Sequence, residues 1–74
     1  MEYIISVGKV EDLQVTKDMT ELENVFSRAK STVVQGGTVI LTRDNPDGSF
    51  YNVNEITTEE ELKTYKESVF KYLD

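Results

Sequence analysis

EYIISVGKVEDLQVT, from Glu2 to Thr16, opens with an alternation: Tyr3, Ile5 and Val7 point one way and Ile4 and Ser6 the other, which is the period of a strand. Everything after it depends on how many strands this stretch supplies. Gly8-Lys9 places Gly at the first central position of a tight turn, and Val10 to Thr16 follows as a second β-like run in which Leu13 and Val15 share a face. Val10 lies three residues from Leu13 and is out of phase with it, which predicts a bulge near Glu11-Asp12. The stretch therefore reads as a hairpin.

Downstream the signals are helical. Asp18 and Thr20 are both suited to cap a helix, with Glu21 and Glu23 three residues on, and Leu22, Val25, Phe26, Ala29 and Val33 form one stripe. Gly36-Gly37 stops this helix. Thr38 to Arg43 and Ser49 to Ile56 are strands around Asp44-Asn45-Pro46-Asp47-Gly48. In that turn Pro46 presets the first central position and Gly48 supplies a positive φ. Val39 and Leu41 share a face with Tyr51 and Val53, while Ile40, Phe50 and Ile56 belong to the other. A second helix opens at Thr57 or Thr58, uses Glu60 or Glu61 in a capping box, and runs to about Tyr72 with a stripe of Leu62, Tyr65, Val69, Tyr72 and Leu73. The predicted order is β-β-α-β-β-α: one α+β domain over residues 1–74, with a four-stranded, mainly antiparallel sheet and two helices on one face. Leu22, Val25, Phe26 and Ala29 are expected to share that core with Leu62, Tyr65 and Val69.

At 74 residues the chain supports a single small core, and domains of this size bury only about 60% of the surface that the unfolded chain exposes. It has no Cys and no His, which removes disulfides, thiolate zinc sites and imidazole chemistry together. The start Met1-Glu2-Tyr3 lacks the basic and apolar regions of a signal peptide, and the longest apolar runs, such as Val39-Ile40-Leu41, are far shorter than a membrane span. A cytoplasmic protein is expected.

No catalytic constellation is visible. Glu59 and Glu60 are adjacent on a helix and point about 100° apart, so they do not form an acid/base dyad. The Asp44-to-Gly48 loop fails as a calcium site, because aligning Gly48 with the sixth position of an EF-hand loop puts Arg43 first and Asn54 last. Gly36-Gly37 follows a helix where a phosphate loop must precede one. Lys63, Lys66 and Lys71 alternate with Glu59, Glu67 and Asp74, and a pI of about 4.5 is far from a nucleic-acid-binding footprint. No cofactor, no metal and no direct nucleic-acid contact are expected.

The charge is nevertheless localised. Asp44, Asp47, Glu55, Glu59, Glu60 and Glu61 stand against one base, Arg43, so this segment holds nearly all of the net charge of −6. Together with Tyr51, an aromatic beside the acidic turn, these six acids are the candidate partner-binding residues. In size, acidity and lack of cysteine the chain resembles small proteins of phages and other mobile elements, some of which inhibit host proteins by presenting a DNA-like negative surface. The localised acid itself leads to the expectation of a non-enzymatic protein-binding module that docks on the basic surface of a nucleic-acid-binding protein, and the resemblance extends this to an inhibitor that mimics DNA charge. The alternative is a structural or assembly homodimer formed by edge strands or helix faces, with the acid serving solubility alone.

Overall fold

Ser6 is where the chain departs from the expected hairpin. In the computed structural model, which describes residues 1–73, strand β1 (Glu2–Ser6) runs directly into helix α1 (Val7–Thr16). Ser6 is extended, with φ −76° and ψ 120°, and its Oγ accepts a long hydrogen bond of 3.4 Å from the Lys9 amide, one of the donors that a helix start leaves unpaired. The three-residue spacing that predicts a bulge is helical spacing: Val7, Val10 and Leu13 lie on one stripe, with Val10 buried and the other two packed against the core. A strand would turn Val10 or Leu13 outward, so packing both against the core outweighs the β preference of the valines. Lys17, at φ 56°, ends α1 in the left-handed conformation. Its amide donates to Gln14 O at 3.2 Å and the Asp18 amide donates to Leu13 O at 3.0 Å, the Schellman pairing usually built around Gly.

One strand fewer changes the topology. The order is β1, α1, α2 (Met19–Val34), β2 (Thr38–Asp44), β3 (Phe50–Ile56) and α3 (Glu59–Lys71). The expected four-stranded, mainly antiparallel sheet with two helices is thus corrected to a three-stranded mixed sheet, ordered β1-β2-β3, with three helices. With residues Val10 to Thr16 helical, α1 and α2 become a crossover, and a crossover brings β2 back parallel to β1, in register from Glu2↔Thr38 to Ser6↔Thr42. Val10, Leu22, Val25, Phe26, Ala29, Val33, Leu62 and Val69 of the helices share one buried cluster with Ile5, Val39, Leu41 and Ile56 of the sheet. The expectation that the two long helices cover the same core holds, with Tyr65 partly buried at its margin.

Asp18 and Thr58 are the caps that form, accepting from the Glu21 amide at 3.1 Å and the Glu61 amide at 3.2 Å. Gly48 has φ 93°, as the turn demands, and Asn45 closes the hairpin through its amide to Ser49 O at 2.7 Å. Between β2 and β3 the register slips at Leu41/Thr42: Leu41 pairs with Asn54, Thr42 with Asn52, and Val53 is the extra residue of a bulge. Ile56 consequently pairs with Val39 and is buried in the helix-side core, whereas uninterrupted alternation places it on the opposite face. No helix among the described residues is long and apolar enough to cross a membrane. Asp74, read as one of the acids alternating with the helix lysines, lies outside the described residues.

Candidate functional site

Strand pairing sorts the sheet into two faces. Tyr3, Ile5, Val39, Leu41 and Ile56 lie against the helices, and Arg43 joins them by reaching α1, where its two guanidinium nitrogens meet the Glu11 carboxylate at 3.1 and 3.3 Å. The other face has no helix over it. Its rows, taken across the ladders, are Glu2 beside Thr38, Ile4 beside Ile40 and Glu55, Thr42 beside Asn52, and Asp44 beside Phe50. Ile40 is 8% exposed yet stands outside the helix-side cluster, as expected of a central-strand residue covered by its neighbours.

The predicted site residues are divided by this arrangement. Asp44 and Glu55 fall on the uncovered face, while Tyr51 pairs with Arg43 and shares its side of the sheet. Asp47 sits in the turn before β3, and Glu59, Glu60 and Glu61 form the first turn of α3 beyond it. Seven residues of strand separate these two acidic ends by roughly 20 Å, at about 3.3 Å per residue. They flank β3 at either end without meeting. Glu59 also lines an open groove between α2 and α3, together with Glu23, Lys30, Lys63 and Lys66 above the Phe26 ring.

Two of the acids have structural duties. The Asp47 carboxylate accepts from the Ser49 hydroxyl at 2.6 Å and the Ser49 amide at 2.9 Å, which holds its pKa below the ordinary 3.8. Glu61 Oε1 accepts from the Thr57 amide and hydroxyl, both at 3.3 Å, and from the Thr58 hydroxyl at 3.0 Å, which holds its pKa below the ordinary 4.5. A carboxylate with a depressed folded pKa adds stability that is complete above its unfolded pKa and lost as pH falls through the folded one. The melting temperature should therefore decline below about pH 5, and Glu61→Gln should flatten that acid limb while lowering the plateau. Melting curves for the mutant that run parallel to wild type throughout the acid range would contradict these duties.

The Tyr65 phenol lies within reach of the Glu11 and Arg43 charges. Burial of its hydroxyl raises the phenol pKa, Glu11 raises it further, and Arg43 opposes both. That oxygen is enclosed and has no hydrogen-bond partner among the described residues. The Arg43 guanidinium is in turn held charged by its paired hydrogen bonds to Glu11. Sequence reading placed Glu11 in a strand and missed this link, because only a helical α1 points it at the sheet. Arg43 is thereby spent on α1, which leaves Asp44 without an ion-pair partner among the described residues.

Among the described residues no group of three or more carboxylates is gathered as a metal site. No protein-family profile matches the chain, and no curated protein or solved structure matches it.

Proposed function

We propose that the chain is a non-enzymatic, acidic protein-binding module that docks on a basic surface such as that of a nucleic-acid-binding protein. The observation that supports it is the outer strand. Every residue from Phe50 to Glu55 is exposed, and from Asp44 to Leu62 the chain carries no Lys or Arg. Phe50, Tyr51 and Val53 are 60%, 49% and 50% exposed, so the strand presents apolar and aromatic groups between its two acidic ends. Aromatic anchors supply contact area at an interface, and an acidic field speeds encounter with a basic partner. Self-pairing of two β3 edges is disfavoured by the same charges, since antiparallel pairing sets the acidic turn of each copy against the acidic helix start of the other.

The test replaces Asp44, Glu55, Glu59 and Glu60 by Asn and Gln, leaving Asp47 and Glu61 to their turn and cap. Titration calorimetry against a basic protein recovered from lysate, at two salt concentrations, should show affinity lower by about tenfold or more, with the salt-sensitive part lost. Equal affinities for the two folded proteins would mean that the acid serves solubility alone.

A further inference from the structure

The uncovered sheet face is charged with one sign only. Glu2, Asp44 and Glu55 stand on it, and the strands' single base, Arg43, is turned to the other side and paired with Glu11. Its apolar groups lie diagonally across it: Ile4, 56% exposed, stands on β1 beside the shielded Ile40, and Phe50, 60% exposed, stands on β3 at the hairpin end, with the polar row of Ser6, Thr42 and Asn52 between them. Exposed apolar side chains, each with a carboxylate in its own row, Glu55 beside Ile4 and Ile40 and Asp44 beside Phe50, suit a partner that carries apolar and basic groups together. The dimensions of the face suit one helix. Three strands set two spacings of about 4.8 Å, roughly 10 Å in all, which matches the diameter of a single α-helix. The seven residues of β2 extend over roughly 20 Å, the length of a helix of about 14 residues.

Resting on the reading of the chain as an acidic binding module, we propose that this face docks a cationic amphipathic helix of its partner, whose apolar stripe covers Ile4, Ile40 and Phe50 while flanking Lys or Arg residues meet Glu2, Asp44 and Glu55. Such a helix completes the sheet with a layer on its bare side, as helices do in three-layer domains. A second copy of this chain fits poorly there, because two such faces brought together oppose three carboxylates with three carboxylates. A seated helix also shifts the binding energy from charge toward apolar contact. Charge alone predicts an association that salt abolishes, whereas a helix seated on Phe50 and Ile4 retains a salt-resistant part.

The probe is a synthetic peptide of sequence LKKLLKLLKKLLKL, with a control of equal charge in which every Leu is Ser. Both are titrated by fluorescence anisotropy into the full chain, into Phe50→Ser and into Ile4→Ser; each substitution is at an exposed site, and the fold is verified by circular dichroism. The Leu peptide should bind at least about tenfold more tightly than the control at moderate salt, an advantage worth about 1.4 kcal/mol, and both variants should erase it. Its amide chemical-shift changes should fall on β1, β2 and β3. Equal binding of the two peptides, or a Leu advantage that both variants retain, would overturn the face while leaving the acidic module standing. Binding of neither peptide would overturn both readings. A dimer of the free chain that sedimentation shows to be lost in Phe50→Ser would assign the face to a second copy instead.

Discussion

Phe26→Ala should lower the stability of the domain by about 3–5 kcal/mol, enough to leave much of the chain unfolded at room temperature. Phe26 is 2% exposed and lies where α2 meets α3, with its ring 5.6 Å from that of Tyr65 and 5.9 Å from that of Phe70, both tilted. Its removal deletes the apolar area of the ring and two aromatic contacts, and it opens a cavity under the groove between the two helices. In a core drawn from so few side chains the surroundings have little material with which to collapse into that space. Urea denaturation followed by circular dichroism measures the loss. A mutant that unfolds within about 1 kcal/mol of wild type would show that α3 packs elsewhere.

The parts of this fold that can be read from the sequence are those specified by a local chemical requirement. Asp18 and Thr58 announce helix starts by their side-chain oxygens, and Gly48 announces a turn because the chain there needs a positive φ. The first helix is marked more weakly, by the long 3.4 Å bond from the Lys9 amide to Ser6 Oγ. It ends at Lys17, a left-handed residue with no Gly to signal it, and it opens at Ser6 with no acid in its first turn. Its valines favour a strand locally, and only the packing of both Val10 and Leu13 against the core reverses that preference. A single misplaced element then misassigned the sheet, since the parallel pairing of β1 with β2 exists only if the connection between them is helical. For the site, the acidic residues are plain in the sequence, but their grouping is not. Which acids share a face with Phe50 and Ile4 depends on the bulge at Val53 and on the strand order, both of which are set by tertiary packing.

Gly37→Ala should cost about 2–3 kcal/mol, more than Gly36→Ala, although a reading of Gly36-Gly37 as a simple helix stop predicts the reverse. Gly36 has φ 84° and open space around its missing Cβ, so Ala there bears only the strain of a left-handed backbone, about 1–2 kcal/mol. Gly37 is different because its backbone needs no positive φ. A Cβ at Gly37 would run into the Met1 carbonyl oxygen and would lie 2.8 Å from Thr32 Cγ2 and 3.0 Å from Thr32 O. Those neighbours are fixed. The Gly37 amide donates to Thr32 O at 2.8 Å, and the Thr38 amide donates to Met1 O at 3.0 Å, the contact that starts the parallel ladder of β1 on β2. Relief of the clash must therefore move the end of α2 away from the sheet or pull β1 off β2, and either shift disturbs the pairing that supports the uncovered face. Urea midpoints for the two alanine variants give the ranking, and amide hydrogen exchange in β1 gives the site of the damage. If Gly36→Ala proves the more harmful, or β1 amides keep their protection in Gly37→Ala, the close approach of Met1 to Gly37 does not govern this junction.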